Sequence, residues 1–176
     1  MSEFSQSYHL RTENKQAAAL LMKSAGKRGF VFEPANGWTT FVVEGAEFTP
    51  DDSIVEQNGD LLAHYAYAED HGWSLTIFNK RTLAFDYRSH WEEELVIEAD
   101  VLDLSLLRQL IAEQGQEDGG LMALFHPDDL ETLLEMDPPP AYQIAERLGL
   151  LHYAWVSDDY VRNDRASYEV AEEVES

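Results

Sequence analysis

The stretch Tyr67-Ala68-Glu69-Asp70-His71-Gly72-Trp73 sets two carboxylates and an imidazole between aromatic residues. A carboxylate beside an imidazole orients the ring and tunes its basicity, the pairing from which general acid–base hydrolysis is built. Glu69, Asp70 and His71, together with His64 and His90, are the candidate catalytic groups of a small hydrolase. The same residue types ligate divalent metals, and His64, Asp70, His90 and Glu92 form the candidate metal set. A third reading makes the stretch the polar tip of a β-hairpin that faces a partner.

Geometry weighs against the first two readings. Successive strand residues point to opposite faces, so Glu69 and His71 share a side that Asp70 does not, unless a turn redirects them. An Asp just before a turn is expected to hydrogen-bond turn amides without any catalysis. His64 and His90 fall on the first and third strands of the expected meander, about 10 Å apart, whereas direct coordination needs about 2.0 to 2.2 Å. There is no H-E-x-x-H, no EF-hand loop and no G-x-S-x-G elbow. Ser24-Ala25-Gly26-Lys27-Arg28-Gly29 superficially resembles a phosphate loop, but it follows a helix and so meets the negative end of the helix dipole. No cofactor is expected.

The elements that must position these residues follow from periodicity. Residues 7–12 form a short first strand, and residues 14–26 a helix with Asn14 as cap and Gly26 as stop. Residues 28–45 read as two strands around Pro34-Ala35-Asn36-Gly37. A loop follows, and residues 61–91 then read as a three-stranded antiparallel meander. A His71-Gly72 loop pairs Asp70 with Trp73 and Ala68 with Leu75 in its first hairpin, and a three-residue second loop aligns Phe85 with Ile77 and Tyr87 with Leu75. From residue 100 the period becomes helical: one helix capped by Ser105, a short one after His126-Pro127, and one over 141–148 closed by Gly149. The fold class is α+β, an antiparallel sheet with a helix after the first strand and an acidic helical C-terminal part packed on the sheet. One domain is expected over 1–170, strand-rich over 1–98 and helix-rich over 99–170, with 171–176 a disordered tail.

Charge supplies the remaining clue. The 176 residues carry a net charge of −22, and 22 of the 34 acidic side chains but only 4 of the 12 basic ones lie in residues 89–176. Such a field repels phosphate backbones and anionic lipid and steers basic proteins. Asp128, Asp129, Glu131, Asp158 and Asp159 are the candidate steering acids, with Trp155 and Tyr160 as the desolvated contact. The chain has no cysteine, no apolar run long enough to span a bilayer and no secretory signal pattern, so a cytoplasmic location is expected. The leading expectation is a non-enzymatic binding, inhibitory or adaptor-like protein that presents this acidic surface to a basic protein surface, without nucleic-acid or membrane contact. The hydrolase is the second expectation and a structural or oligomerisation module the third.

Overall fold

The computed structural model describes residues 2–176. It has the expected α+β architecture, an eight-stranded antiparallel sheet with seven α-helices. In chain order the elements are β1 (Phe4–Leu10), α1 (Lys15–Ser24), β2 (Gly29–Phe32), β3 (Thr39–Val43), α2 (Asp52–Gln57), β4 (Leu61–Ala68), β5 (Gly72–Asn79), β6 (Thr82–Trp91) and β7 (Leu95–Leu102). There follow α3 (Leu104–Glu113), α4 (Leu121–Phe125), α5 (Leu130–Glu135), α6 (Pro140–Leu148), α7 (Asp158–Asn163), a 3-10 turn (Arg165–Tyr168) and β8 (Ala171–Val174). The strand order across the sheet is β7-β6-β5-β4-β1-β3-β2-β8.

Alternation along the strands sorts two cores onto the two faces. Tyr65, Tyr67, Trp73, Leu75, Ile77, Phe85, Tyr87 and Trp91 meet α3 to α6 on one face. On the same face Phe30, Phe32 and Val42 pack against Val156, Val161 and Ala171. The opposite face of β1, β2 and β3 carries Tyr8, Leu10, Val31, Phe41 and Val43, covered by Ala18, Leu21 and Met22 of α1 and Ile54 of α2. Asn14 caps α1 through Gln16 N–H, as its position predicts. In α3 the cap is Asp103, not Ser105: its carboxylate accepts from Ser105 and Leu106 N–H.

The first meander register differs from the expected one. The turn is the three residues Glu69-Asp70-His71, and Tyr67 pairs with Trp73 and Tyr65 with Leu75. Two aromatic residues thereby face each other, where the tight two-residue loop sets small against large. Gly72 is required there by a close backbone approach, since a Cβ would lie 2.2 Å from Ser89 O. The second register is as expected, Ile77 with Phe85 and Leu75 with Tyr87, but it arises differently. Asn79 pairs with Thr82 across a two-residue Lys80-Arg81 loop, and a bulge at Ala84, opposite the Ile77–Phe78 step, supplies the missing residue.

The end of the chain overturns the disordered-tail expectation. Residues 171–174 form β8, paired with β2 from Phe32↔Ala171 to Gly29↔Val174. Ala171 and Val174 are buried on opposite faces, and Glu172 and Glu173 meet Lys15, Arg162 and Arg165. Two apolar residues among three acids in 171–176 hide a strand whose charges are neutralised only in the fold.

Long-range polar contacts fix how the helical part meets the sheet. Trp38 Nε1 donates to Leu148 O at 2.8 Å, at the end of α6. Glu3, only 2% exposed, accepts from the hydroxyls of Ser5 and Tyr142 and, at 2.6 Å, from Trp155 N–H. Its own backbone O accepts from Glu69 N–H at 3.0 Å. Beside it, Ser7, His9 and Thr40 form a buried polar ladder, with His9 Nε2 2.8 Å from Ser7 Oγ and its Nδ1 2.8 Å from Thr40 Oγ1. Glu3→Ala strands three donors, and at about 1 kcal/mol or more for each buried group left unpaired it is expected to lower unfolding free energy by about 3 kcal/mol. Urea denaturation measures it, and a loss under about 1 kcal/mol contradicts this role.

Candidate functional site

One end of the sheet gathers most of the residues singled out by the sequence. Moving across it, Tyr160 Oη accepts from Phe4 N–H at 3.0 Å, and Phe4 pairs with Ala68 beside the 69–71 turn. Trp91 N–H donates to His71 O at 2.8 Å, and Trp91 pairs with Leu95 across the 92–94 turn. Glu93, Glu94, Leu95 and Ile97 then face Asp128, Asp129, Leu130 and Glu131 across an open cleft. At about 4.8 Å per strand the row from β1 to β7 runs roughly 20 Å. Its segments Glu69-Asp70-His71, Glu92-Glu93-Glu94, Pro127 to Glu131 and Trp155 to Tyr160 contain no lysine or arginine.

The sheet splays at one end of this row. β3 pairs with β1 only from Tyr8 to Leu10 and diverges beyond, and the backbone of Val156 takes its place, accepting from Gln6 N–H at 2.8 Å. Val156 N–H donates to Ser5 Oγ at 3.0 Å. The opened corner is a depression lined by Phe4, Gln6, Val43, Gly45, Ala46 and Ser157 to Tyr160.

A second depression lies between the sheet and the α5–α6 connection. Tyr67, Trp73 and Trp91 come from three adjacent strands, Leu133, Leu134 and Met136 from α5 and its end, and Pro139, Pro140 and Ala141 from the start of α6. Glu69 is the one charged residue that lines it. Burial, with Glu3, Glu69 and Asp70 nearby, pushes the Tyr67 hydroxyl up to about 12, so it stays protonated. Trp73 Nε1 is buried without a hydrogen-bond partner.

The proposed acid–base group does not assemble. Glu69, Asp70 and His71 are exposed at the tip; Asp70 engages the Ser2 hydroxyl, and no histidine joins Glu69 in its pocket. His64 is fully buried on the other sheet face, with Nε2 3.1 Å from Gln6 Nε2. Burial and the nearby Arg88 hold its pKa down at about 3, so the ring is neutral. His90 sits exposed at the end of β6, 3.6 Å from Glu98, and Glu92 lies in the next turn. The metal set His64, Asp70, His90 and Glu92 is therefore dispersed, and among the described residues no three His, Asp or Glu side chains are grouped to hold a metal ion. The physical reason is distance and not the pleat: His64 and His90 share a face, but β5 lies between their strands, and His90 pairs with Gly72 and His64 with Thr76, four residues along it.

The partner set divides into free and engaged carboxylates. Asp129 caps α5 through Thr132 N–H at 2.8 Å, which lowers its pKa, and Asp158 is buried in a two-point contact with Arg162. Asp128, Glu131 and Asp159 are exposed. Trp155 lies 5.6 Å from Tyr160, centroid to centroid.

No protein-family model, curated protein or solved structure matches the chain.

The groups missed by sequence reasoning are Phe4 and the α5–α6 wall from Leu133 to Pro140. The Trp73 and Trp91 alternation was legible, but the expected two-residue loop set Tyr67 on the opposite face from Trp73, and closure by a non-periodic connection left no local signal.

The buried histidines make stability depend on pH. Burial holds His9, like His64, at about 3, against about 6.5 in the unfolded chain. The unfolded state therefore binds more protons between these values: the contribution is complete above about pH 6.5 and is lost as pH falls toward 3. Each imidazole adds about 1.4 kcal/mol per pH unit to the slope in that window. Unfolding free energies at pH 6 and 5 for the wild type and His64→Gln are expected to differ in slope by about that amount; equal slopes contradict a neutral buried His64.

Proposed function

We propose that the protein is a non-enzymatic binding protein that docks a basic protein surface across the acidic end of its sheet. The observation that carries this reading is the row of carboxylates whose segments contain no lysine or arginine, of which Arg162 engages Asp158 alone, set among exposed apolar groups. Phe4 is 46% exposed, Trp155 39% and Leu134 60%. Acids steer a basic partner from a distance, while aromatic and aliphatic side chains supply contact once water is expelled. The Asp129 cap and the Asp158–Arg162 pair hold α5 and α7 in shape, so docking falls to Glu93, Glu94, Asp128, Glu131 and Asp159. The hydrolase reading has weaker support, because Glu69 has no imidazole partner within its pocket.

The test is capture from host-cell lysate with the wild type beside Glu93→Gln, Glu94→Gln, Asp128→Asn, Glu131→Gln and Asp159→Asn combined, which spares the cap and the ion pair. A basic protein retained by the wild type at low salt, and lost both at high salt and by the variant, is expected. For that partner the association rate should drop at least about tenfold in the variant. Retention that ignores both salt and the substitutions rejects the docking surface.

A further inference from the structure

We infer that the pocket of Tyr67, Trp73, Trp91 and Glu69 binds a quaternary ammonium group. This goes beyond the docking reading, because a free small molecule can fill the pocket with no protein partner present.

The cavity has a volume of about 260 Å³. That lies just below the roughly 300 Å³ at which drug-sized ligand sites begin, so it suits one small group rather than an extended ligand. Its floor is two indoles and a phenol, whose negative ring faces attract cations. Tyr67 and Trp73 are directly paired across β4 and β5, and Trp91 follows on β6, so the sheet fixes the positions from which the three rings line the pocket. The walls of Leu133, Leu134, Met136, Pro139 and Pro140 favour alkyl groups.

Charge decides among the apolar ligands. Glu69 is the single charged lining residue, and it stands in a protein of net charge −22, so an anion is rejected. A primary ammonium brings three N–H donors, and leaving them unmatched in an apolar pocket is costly. Glu69 is the only carboxylate lining the site. A quaternary ammonium has no N–H to satisfy, is less strongly hydrated, and spreads its charge over methyl groups that fit both the rings and the aliphatic walls.

The probe is hexyltrimethylammonium, set against its neutral carbon analogue bearing a tert-butyl head, titrated into the full chain at 0.15 M salt. The readout is the indole N–H resonance of each tryptophan. Trp73 Nε1 has no hydrogen-bond partner, whereas Trp38 Nε1 is tied to Leu148 O and serves as the internal control. The cation is expected to move the Trp73 and Trp91 signals, leave Trp38 in place, and bind about tenfold tighter than the neutral analogue. Glu69→Gln, an exposed substitution at a turn, should weaken the cation about fivefold or more and leave the neutral analogue unchanged. Equal binding of the two probes, an unaffected Glu69→Gln, or shifts at Trp38 alone would overturn the assignment and leave an ordinary apolar hollow.

A parallel titration with a short trimethyl-lysine peptide separates the sources of the group. Affinity equal to that of the free probe points to a small-molecule ammonium, and affinity at least about tenfold higher to a methylated side chain on a protein. Loss of the docking partner in the charge variant, with the probe still bound, would show the two sites to be separate.

Discussion

The buried carboxylate of Glu3 is the contact on which the layout of the sheet end depends. It ties α6 through the Tyr142 hydroxyl, the 155–156 segment through Trp155 N–H and the start of β1 through Ser5. Its backbone O also holds Glu69 at the root of the hairpin turn. A carboxylate out of water is tolerated only when donors surround it, and each of these donors comes from a segment that has to be in place. The price of burying Glu3 is therefore also a specification. The splayed corner and the aromatic pocket lie on either side of it, so both inherit their shape from the same group.

The acidity of the chain resolves into two populations. Asp51, Asp103, Asp129 and Asp158 are spent on the fold, capping helices or gripping an arginine. Glu93, Glu94, Asp128 and Asp159 remain unengaged in water at the sheet end. Composition cannot separate these groups, because a cap and a steering charge are the same residue type. An Asp followed by a short apolar period is a cap signal that fits Asp103 and Asp129 alike, yet Ser105 was the expected α3 cap and Asp129 stood among the expected steering acids.

Much of the fold was legible where a pattern is local. The α1 cap, the β2–β3 hairpin, the Ile77↔Phe85 register and the Gly149 end of α6 all follow from side chains within a few residues of one another. What was not legible depends on distant partners. β7 alternates in burial, with Val96, Glu98 and Asp100 exposed on one face, but as an edge strand it buries neither face fully, and Val96 on the exposed face blurs the apolar–polar pattern. α2, α4 and α7 are five or six residues long and too short to show a period. The candidate site was legible only in part for the same reason: Trp73 and Trp91 follow strand alternation, whereas Tyr67 depends on the length of the 69–71 turn and the wall lies on a connection with no periodicity.

β8 also bears on how the molecule assembles. It pairs with β2 although some 140 residues separate them, so this is among the last contacts the chain can make. Until β8 arrives, the outer edge of Gly29-Phe30-Val31-Phe32 is an unpaired apolar strand of the kind that recruits a strand from another molecule. The acidic pair Glu172-Glu173 works against such recruitment: in water it keeps the free segment soluble, and against β2 it finds Lys15, Arg162 and Arg165 waiting. The strand thus acts as a charged latch against strands of other sequence, but the β8 of a second copy brings the same charges to the same basic residues, so an exchanged-strand dimer is the misassembled form to which this topology is most exposed.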